Sequence, residues 1–159
     1  MADAIALVLH AAEQIKLVDP HFKPWESRFR EPLRCFLAQA VLGVPLRRVE
    51  YHTLWIGDGA TSKYFADECE RHLPQLLPWG TELTLYRWSH LPAGDRLHPR
   101  YVLTNVAGIN FEVGLDERSE SETVDVTVMG DELRSLRWRQ YDATNSPPQL
   151  KDKIVVSTY

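Results

Sequence analysis

Three residues in the second half of the chain have the types and spacing of a reactive site: His98, Arg100 and Asn105. They lie at the start and the end of an apolar run that is typical of a β-strand. Side chains two positions apart on a strand point to the same side, so we expect His98 and Arg100 to face one pocket. Asn105 could join them only if the chain turned back there, which the nearby Gly108 would permit.

These three residue types could together bind an anion and act on it. An imidazole with its ordinary pKa of about 6.5 can attack phosphorus or transfer a proton at neutral pH. A guanidinium can hold a phosphate through two parallel hydrogen bonds. The amide of Asn105 could orient the imidazole, but it could not stabilise an imidazolium as a carboxylate does. The amide at 105 therefore favours binding of a ligand over catalysis.

The spacing His98-x-Arg100-x4-Asn105, followed by Gly-Leu-Asp at 114–116, resembles the His-x-Lys-x4-Asp motif of the phospholipase D-like superfamily, with two of the three residues changed. The changed form more closely resembles the phospholipase-D-like carboxy-terminal domain that follows MIT domains in some membrane-remodelling proteins. The resemblance is strongest over residues 97–117. It implies a phospholipase D-like fold and a phosphodiester ligand, either nucleic acid or an anionic phospholipid.

The resemblance also implies an assembly. In the superfamily two motifs meet, and one histidine attacks while the other protonates the leaving oxygen. Because this chain carries a single motif, two copies of His98 would have to face each other in a homodimer, or the chain would act as a subunit of a larger complex. Such domains often serve in prokaryotic defence.

Three further residues are candidates for ligand binding. Asp19 ends a predicted strand, where ligands of α/β proteins gather, although it could equally begin a turn before Pro20. Asp116 could accept a hydrogen bond from Arg100 or could cap a turn. Trp88 could stack on a base or lie against lipid, although the core is its commoner place.

The elements that must position these residues follow from hydrophobic periodicity. Helices are predicted over 2–13, 24–42, 62–77 and 131–141, with a break expected at Pro32. Strands are predicted over 14–18, 47–56, 81–88, 97–103, 108–113, 123–129 and 154–157; a helix continued to residue 17 is the alternative for the first. The strand-helix-strand order predicts an α/β fold with a mixed, largely parallel sheet flanked by helices.

Composition limits the remaining possibilities. With 159 residues, 44% of them hydrophobic, the chain is expected to be one domain, 1–159, with a full core. A net charge of −4 argues against non-specific coating of nucleic acid but allows a local basic pocket. Cys35 and Cys69 are expected to be reduced packing residues, and no transmembrane segment, metal site or cofactor is predicted. A cytoplasmic location is expected.

Three functions are compatible with these observations. The first is a degenerate phospholipase-D-like module that binds a phosphodiester as part of a larger assembly. The second is an active dimeric, metal-independent nuclease or phosphodiesterase in which His98 attacks. The third is a structural adaptor without a ligand. The substituted motif favours the first.

Overall fold

The computed structural model describes residues 1–57, 59–89, 100–112, 114–116, 125–145 and 149–158. Within them, seven strands form one sheet and four α-helices pack on it. The helices are α1 (Ala6–His10), α2 (Ser27–Ala40), α3 (Gly59–His72) and α4 (Asp131–Gln140). The strands are β1 (Gln14–Val18), β2 (Arg48–Leu54), β3 (Glu82–Trp88), β4 (Tyr101–Thr104), β5 (Gly108–Phe111), β6 (Val126–Val128) and β7 (Leu150–Ser157). Short 3-10 helices cover Asp3–Ile5 and Pro74–Leu76.

The strand order is β6-β5-β4-β1-β2-β3-β7. The mixed α/β architecture predicted from the sequence is confirmed, but the prediction of a largely parallel sheet is wrong. Only β1, β2 and β3 run parallel to one another, and the other four pairings are antiparallel. A parallel pair needs a crossover connection, which α2 and α3 supply in the first half of the chain. The turn at residues 105–107 between β4 and β5 leaves no room for one.

The expected break at Pro32 is also wrong, since α2 continues through this residue. Pro32 removes one hydrogen bond of the helix, but it is itself buried against the sheet. The neighbouring turns of α2 bury Phe29, Leu33 and Phe36 in the same core. Burial of each such side chain contributes about 1.5–3 kcal/mol, which together outweighs a single lost hydrogen bond.

The two faces of the sheet carry different cores. One face packs against α1, α2 and α3 in a large apolar cluster built on Ile15, Leu17 and Leu85. The other face meets α4 through a smaller, aromatic cluster that includes Trp88 and Tyr141. The alternation of residues along each strand divides them between these two cores.

Lys16 attaches α4 to the sheet. It points from β1 into the second core, where its side chain is 2% exposed. Its ammonium donates to the backbone carbonyls of Tyr141 (2.6 Å) and Trp138 (3.3 Å), at the carboxyl end of α4. It also lies 3.3 Å from a carboxylate oxygen of Glu50 on β2. A cation at this end of a helix satisfies terminal carbonyls and is favoured by the helix dipole.

No helix among the described residues combines the length and the apolar composition that a membrane crossing needs. Cys35 and Cys69 are both free thiols, and Cys69 is buried.

Candidate functional site

The carboxyl end of β1 and the amino end of β4 meet at one edge of the sheet. Because these strands are antiparallel and Val18 pairs with Tyr101, Asp19 and Arg100 are adjacent at that edge. The backbone N–H of Asp19 still donates to the carbonyl of His52 on β2, at 3.1 Å. Two of the residues predicted from the sequence are therefore brought together where the parallel strands end.

The Asp19 carboxylate links two loops. It is fully buried, and its oxygens accept hydrogen bonds from the backbone N–H of His21 (2.8 Å) and of Leu115 (2.9 Å). Burial raises the pKa of Asp19, although both N–H donors and the charge of Arg100 act in the opposite direction. Asp19 thus begins a turn, as one interpretation of the sequence predicts, and also anchors the segment 114–116 beside Arg100; its role in ligand binding stays a prediction.

Arg100 and Asp116 approach each other across Gly114. A Cβ atom placed on Gly114 would lie 2.1 Å from Oδ1 of Asp116 and 3.4 Å from Nε of Arg100. Real Cβ atoms do not come within 3.0 Å of such an oxygen, so only glycine fits between the two side chains as they stand. The Gly-Leu-Asp segment singled out in the sequence therefore lies at the edge defined by Asp19.

Arg28 is a further cation at this edge that sequence reasoning missed. Its guanidinium lies 3.6 Å from Asp116 and 2.7 Å from Glu26, and about half of its side chain is exposed. Arg28 is the second residue of α2, where the positive end of the helix dipole disfavours a cation. No motif in the sequence includes Arg28, so sequence reasoning had no signal for it.

Tyr51 on β2 lies beneath the two carboxylates. It is buried, and its ring packs 4.0 Å from that of Phe22. Burial, reinforced by the negative charges of Asp19 and Asp116, raises the pKa of its hydroxyl well above the ordinary value. Tyr51 therefore stays protonated and neutral below the charged edge.

Asn105 does not belong to this edge, so its predicted role beside Arg100 is wrong. Its side-chain oxygen accepts the backbone N–H groups of Glu13 (3.0 Å) and Gln14 (3.1 Å), at the other end of β1. The four residues of β4 separate it from Arg100, which at about 3.3 Å per residue is more than 10 Å. The turn that follows directs the chain into β5 rather than back to the pocket.

The ligand-binding prediction for Trp88 is wrong as well. The side chain is fully buried in the core beneath α4, where it can reach neither a base nor a lipid surface. Its indole N–H donates to Nδ1 of His52 at 3.1 Å. Since an indole nitrogen only donates, His52 must carry its proton on Nε2, which faces Glu50 at 3.1 Å. The predicted reactive residue His98 lies outside the described residues.

A cavity of about 260 Å³ lies next to this edge, at the carboxyl ends of the parallel strands. The loop that follows Asp19 forms one wall, and residues after β2, on α3 and on β3 form the others. The lining residues are Pro20, His21, Phe22, Lys23, Trp25, Leu54, Ile56, Thr61, Phe65 and Arg87. Sequence reasoning did not identify this cavity, because its walls come from four separate segments.

The chain matches no protein-family model, and no curated protein matches it significantly. The candidate functional site is the edge formed by Asp19, Arg28, Arg100 and Asp116, which we call the arginine edge. Within the described residues, no group of three or more histidine, cysteine or acidic side chains is arranged to hold a metal ion.

Proposed function

We propose that the chain is a degenerate phospholipase-D-like domain that binds a phosphodiester-containing ligand, nucleic acid or anionic phospholipid, at the arginine edge, within a larger assembly. The observation that supports this most is the meeting of Arg100 and Arg28 around Asp116 where β1 ends. In α/β sheets, ligands bind outside the carboxyl ends of the parallel strands. Arginine is also the side chain best suited to bidentate binding of a phosphate.

Asp19 and Asp116 do not block the cations of this edge, although Arg28 also donates to Glu26 at 2.7 Å. Asp19 is buried and directed at two backbone N–H groups, so it holds the loops rather than competing for the ligand. The contact between Arg28 and Asp116 is 3.6 Å long, and the Arg28 side chain is 51% exposed. Such a contact contributes little to stability, and a phosphate oxygen can replace it at small cost.

The position of Asn105 supports binding rather than hydrolysis. A histidine that attacks phosphorus is assisted by a carboxylate that stabilises its charged form. Asn105 is neither a carboxylate nor close to Arg100, since it joins the far end of β1 to the end of β4. Asn105, the third residue of the motif, therefore stabilises the fold.

The test compares Arg100→Ala with Arg47→Ala. Arg47 is a suitable control because it is 72% exposed and pairs with Glu13 at the opposite edge of the sheet. Affinity is measured for a short single-stranded oligonucleotide and for anionic phospholipid vesicles. A charge-assisted hydrogen bond is worth about 1.5–3 kcal/mol, so Arg100→Ala should weaken binding about tenfold or more, while Arg47→Ala should not change it.

Unchanged affinity in a folded Arg100→Ala protein would contradict the proposal. So would the absence of binding to both probes by the unaltered protein, which is the result expected of a structural adaptor. Cleavage of the oligonucleotide without added metal, abolished by His98→Ala, would instead identify an active phosphodiesterase.

A further inference from the structure

Both leucines of α4 lie on the side of the helix that faces away from the sheet. The helix is attached to the sheet through Trp138, which packs against the second core, and through Lys16, which binds the carbonyls at its carboxyl end. Leu133 and Leu136 are 43% and 44% exposed and do not belong to that core. None of the ten residues of α4 is buried. A helix this short depends on packing for its stability, and α4 has only one of its two faces covered.

Two opposite charges flank these leucines. Glu132 lies in the first turn of α4, Arg139 lies in the last turn, and both residues are exposed. They are two helical turns apart, so they share the outer face of the helix with Leu136 between them. Neither Glu132 nor Arg139 forms an ion pair with another described residue. Along its outer face, α4 therefore presents an acid, two leucines and a base in that order.

This order makes the outer face complementary to itself. A two-fold axis that crosses α4 between Ser135 and Leu136 would bring Glu132 of one copy opposite Arg139 of the other, at both ends of the contact. The leucines would meet between the two ion pairs, and the two helix dipoles would run antiparallel, which is favourable. A parallel arrangement would place each charged residue against its own copy. The charges therefore select a second copy of this chain, in the antiparallel orientation.

We propose that the outer face of α4, which consists of Glu132, Leu133, Leu136 and Arg139 and which we call the α4 face, is a homodimer interface. A single exposed leucine is ordinary on a protein surface, but two leucines between unpaired and complementary charges form a self-complementary surface. The inference goes beyond the proposed function, because no residue of the arginine edge takes part. It also differs from the homodimer implied by the phospholipase-D-like resemblance, in which two copies of His98 would meet.

The dimer is expected to be weak. At 1.5 Å per residue, α4 is about 15 Å long, so two such helices bury much less surface than a permanent dimer does. A dissociation constant on the order of 100 micromolar is typical of so small a contact. Association must therefore be measured from about 10 micromolar to about 1 millimolar protein, which brackets that value.

Sedimentation equilibrium of the whole chain measures the dimer, and two charge variants test which residues form it. Glu132→Arg would place two arginines at each end of the contact, and Arg139→Glu would place two glutamates there. Each variant alone should dimerise about tenfold or more weakly than the unaltered protein, because two attractions become two repulsions. An equimolar mixture of the two variants should regain the association of the unaltered protein, since every arginine then faces a glutamate in the mixed dimer.

A change at the centre of the contact gives a second test. Leu136→Glu would bring two carboxylates together on the two-fold axis and should leave the protein monomeric over the same range. Leu7→Glu is the matched control, because Leu7 is also a helical leucine, is 85% exposed and lies on α1, at the opposite face of the sheet. It should dimerise like the unaltered protein. Thermal melts show which variants are folded; should a charge variant fail to fold, Leu136→Glu against Leu7→Glu still tests the interface.

An unaltered protein that stays monomeric up to about 1 millimolar would overturn the inference. So would a dimer that Leu136→Glu leaves intact, or a mixture of the two charge variants that associates no better than either variant alone. Each of these results would leave the proposed function standing, because that function is tested by the affinity of Arg100→Ala for its ligand.

Discussion

Replacement of Gly114 by alanine should disturb the arginine edge more than any other part of the protein. The added Cβ would lie 2.1 Å from Oδ1 of Asp116, which is far inside van der Waals contact. The carboxylate is the end of a short side chain and can rotate away. A strained rotamer costs about 0.5–1.5 kcal/mol, and the partly exposed contact with Arg28 contributes up to about 1 kcal/mol. We therefore expect Gly114→Ala to lower the free energy of unfolding by about 1–2 kcal/mol.

The effect on binding should be about as large as the effect on folding. Once Asp116 has turned away, Arg28 keeps Glu26 as a partner but loses its contact with Asp116, and affinity for a phosphodiester should fall about tenfold if one charge-assisted hydrogen bond is lost. Urea denaturation measures the stability, and titration with a short oligonucleotide measures the affinity. Gly130→Ala is the matched control, because a Cβ on Gly130 meets nothing within 4 Å. Equal affinity of Gly114→Ala and Gly130→Ala would refute the assignment of Asp116 to the site.

Three other predictions concern the fold around the site. Asn105→Ala should lower the free energy of unfolding by about 1–2 kcal/mol, because two backbone N–H groups lose their acceptor. It should leave ligand affinity unchanged. Any loss of affinity would show that Asn105 belongs to the binding site. Lys16→Met should lower the unfolding free energy by about 3 kcal/mol, because it leaves Glu50 buried without this cation. Lys16→Met combined with Glu50→Gln should recover part of that free energy. If denaturant unfolding showed that the losses of the two single variants add in the double variant, the prediction would be contradicted. Burial lowers the pKa of His52 in the folded protein, against the raising effect of Glu50, so the unfolded chain takes up a proton first as the pH falls below about 6.5. Stability should then decline by up to about 1.4 kcal/mol per pH unit until His52 also titrates in the folded state, and thermal melts of His52→Gln should show a flatter profile; an unchanged profile would exclude His52 as the source.

The sequence predicted the elements better than their pairing. Periodicity located every described strand and α-helix to within a few residues, because alternation and helical spacing reflect which side of an element is buried. It could not give the direction of the later strands, since short apolar runs look alike in parallel and antiparallel sheets. Pro32 shows that packing can override a local rule. A proline inside a helical run predicts a break, but α2 continues through it because its apolar face packs against the core.

At the candidate site, the sequence predicted Asp19, Arg100 and Asp116 as ligand-binding residues, and the structure brings the three together at one edge. Asp19 directly follows β1, Arg100 directly precedes β4, and Asp116 follows Gly114 in the Gly-Leu-Asp segment. A residue next to a strand end has a place in space that its place in the sequence largely determines. Asn105 was misassigned because the spacing of a motif does not show where the strand between its residues begins. Trp88 was misassigned because a strand residue near a site can point into either face of the sheet.

The proposed function requires that Arg100 and Arg28 together bind a phosphodiester where β1 ends. Nuclear magnetic resonance tests it directly, through the Nε–Hε signals of the arginine side chains during titration with dimethyl phosphate. The signals of Arg100 and Arg28 and the backbone amide of Leu115 should shift together and saturate at one affinity, while Arg47 should not respond. Shifts confined to exposed arginines elsewhere, with Arg100 unaffected, would contradict it.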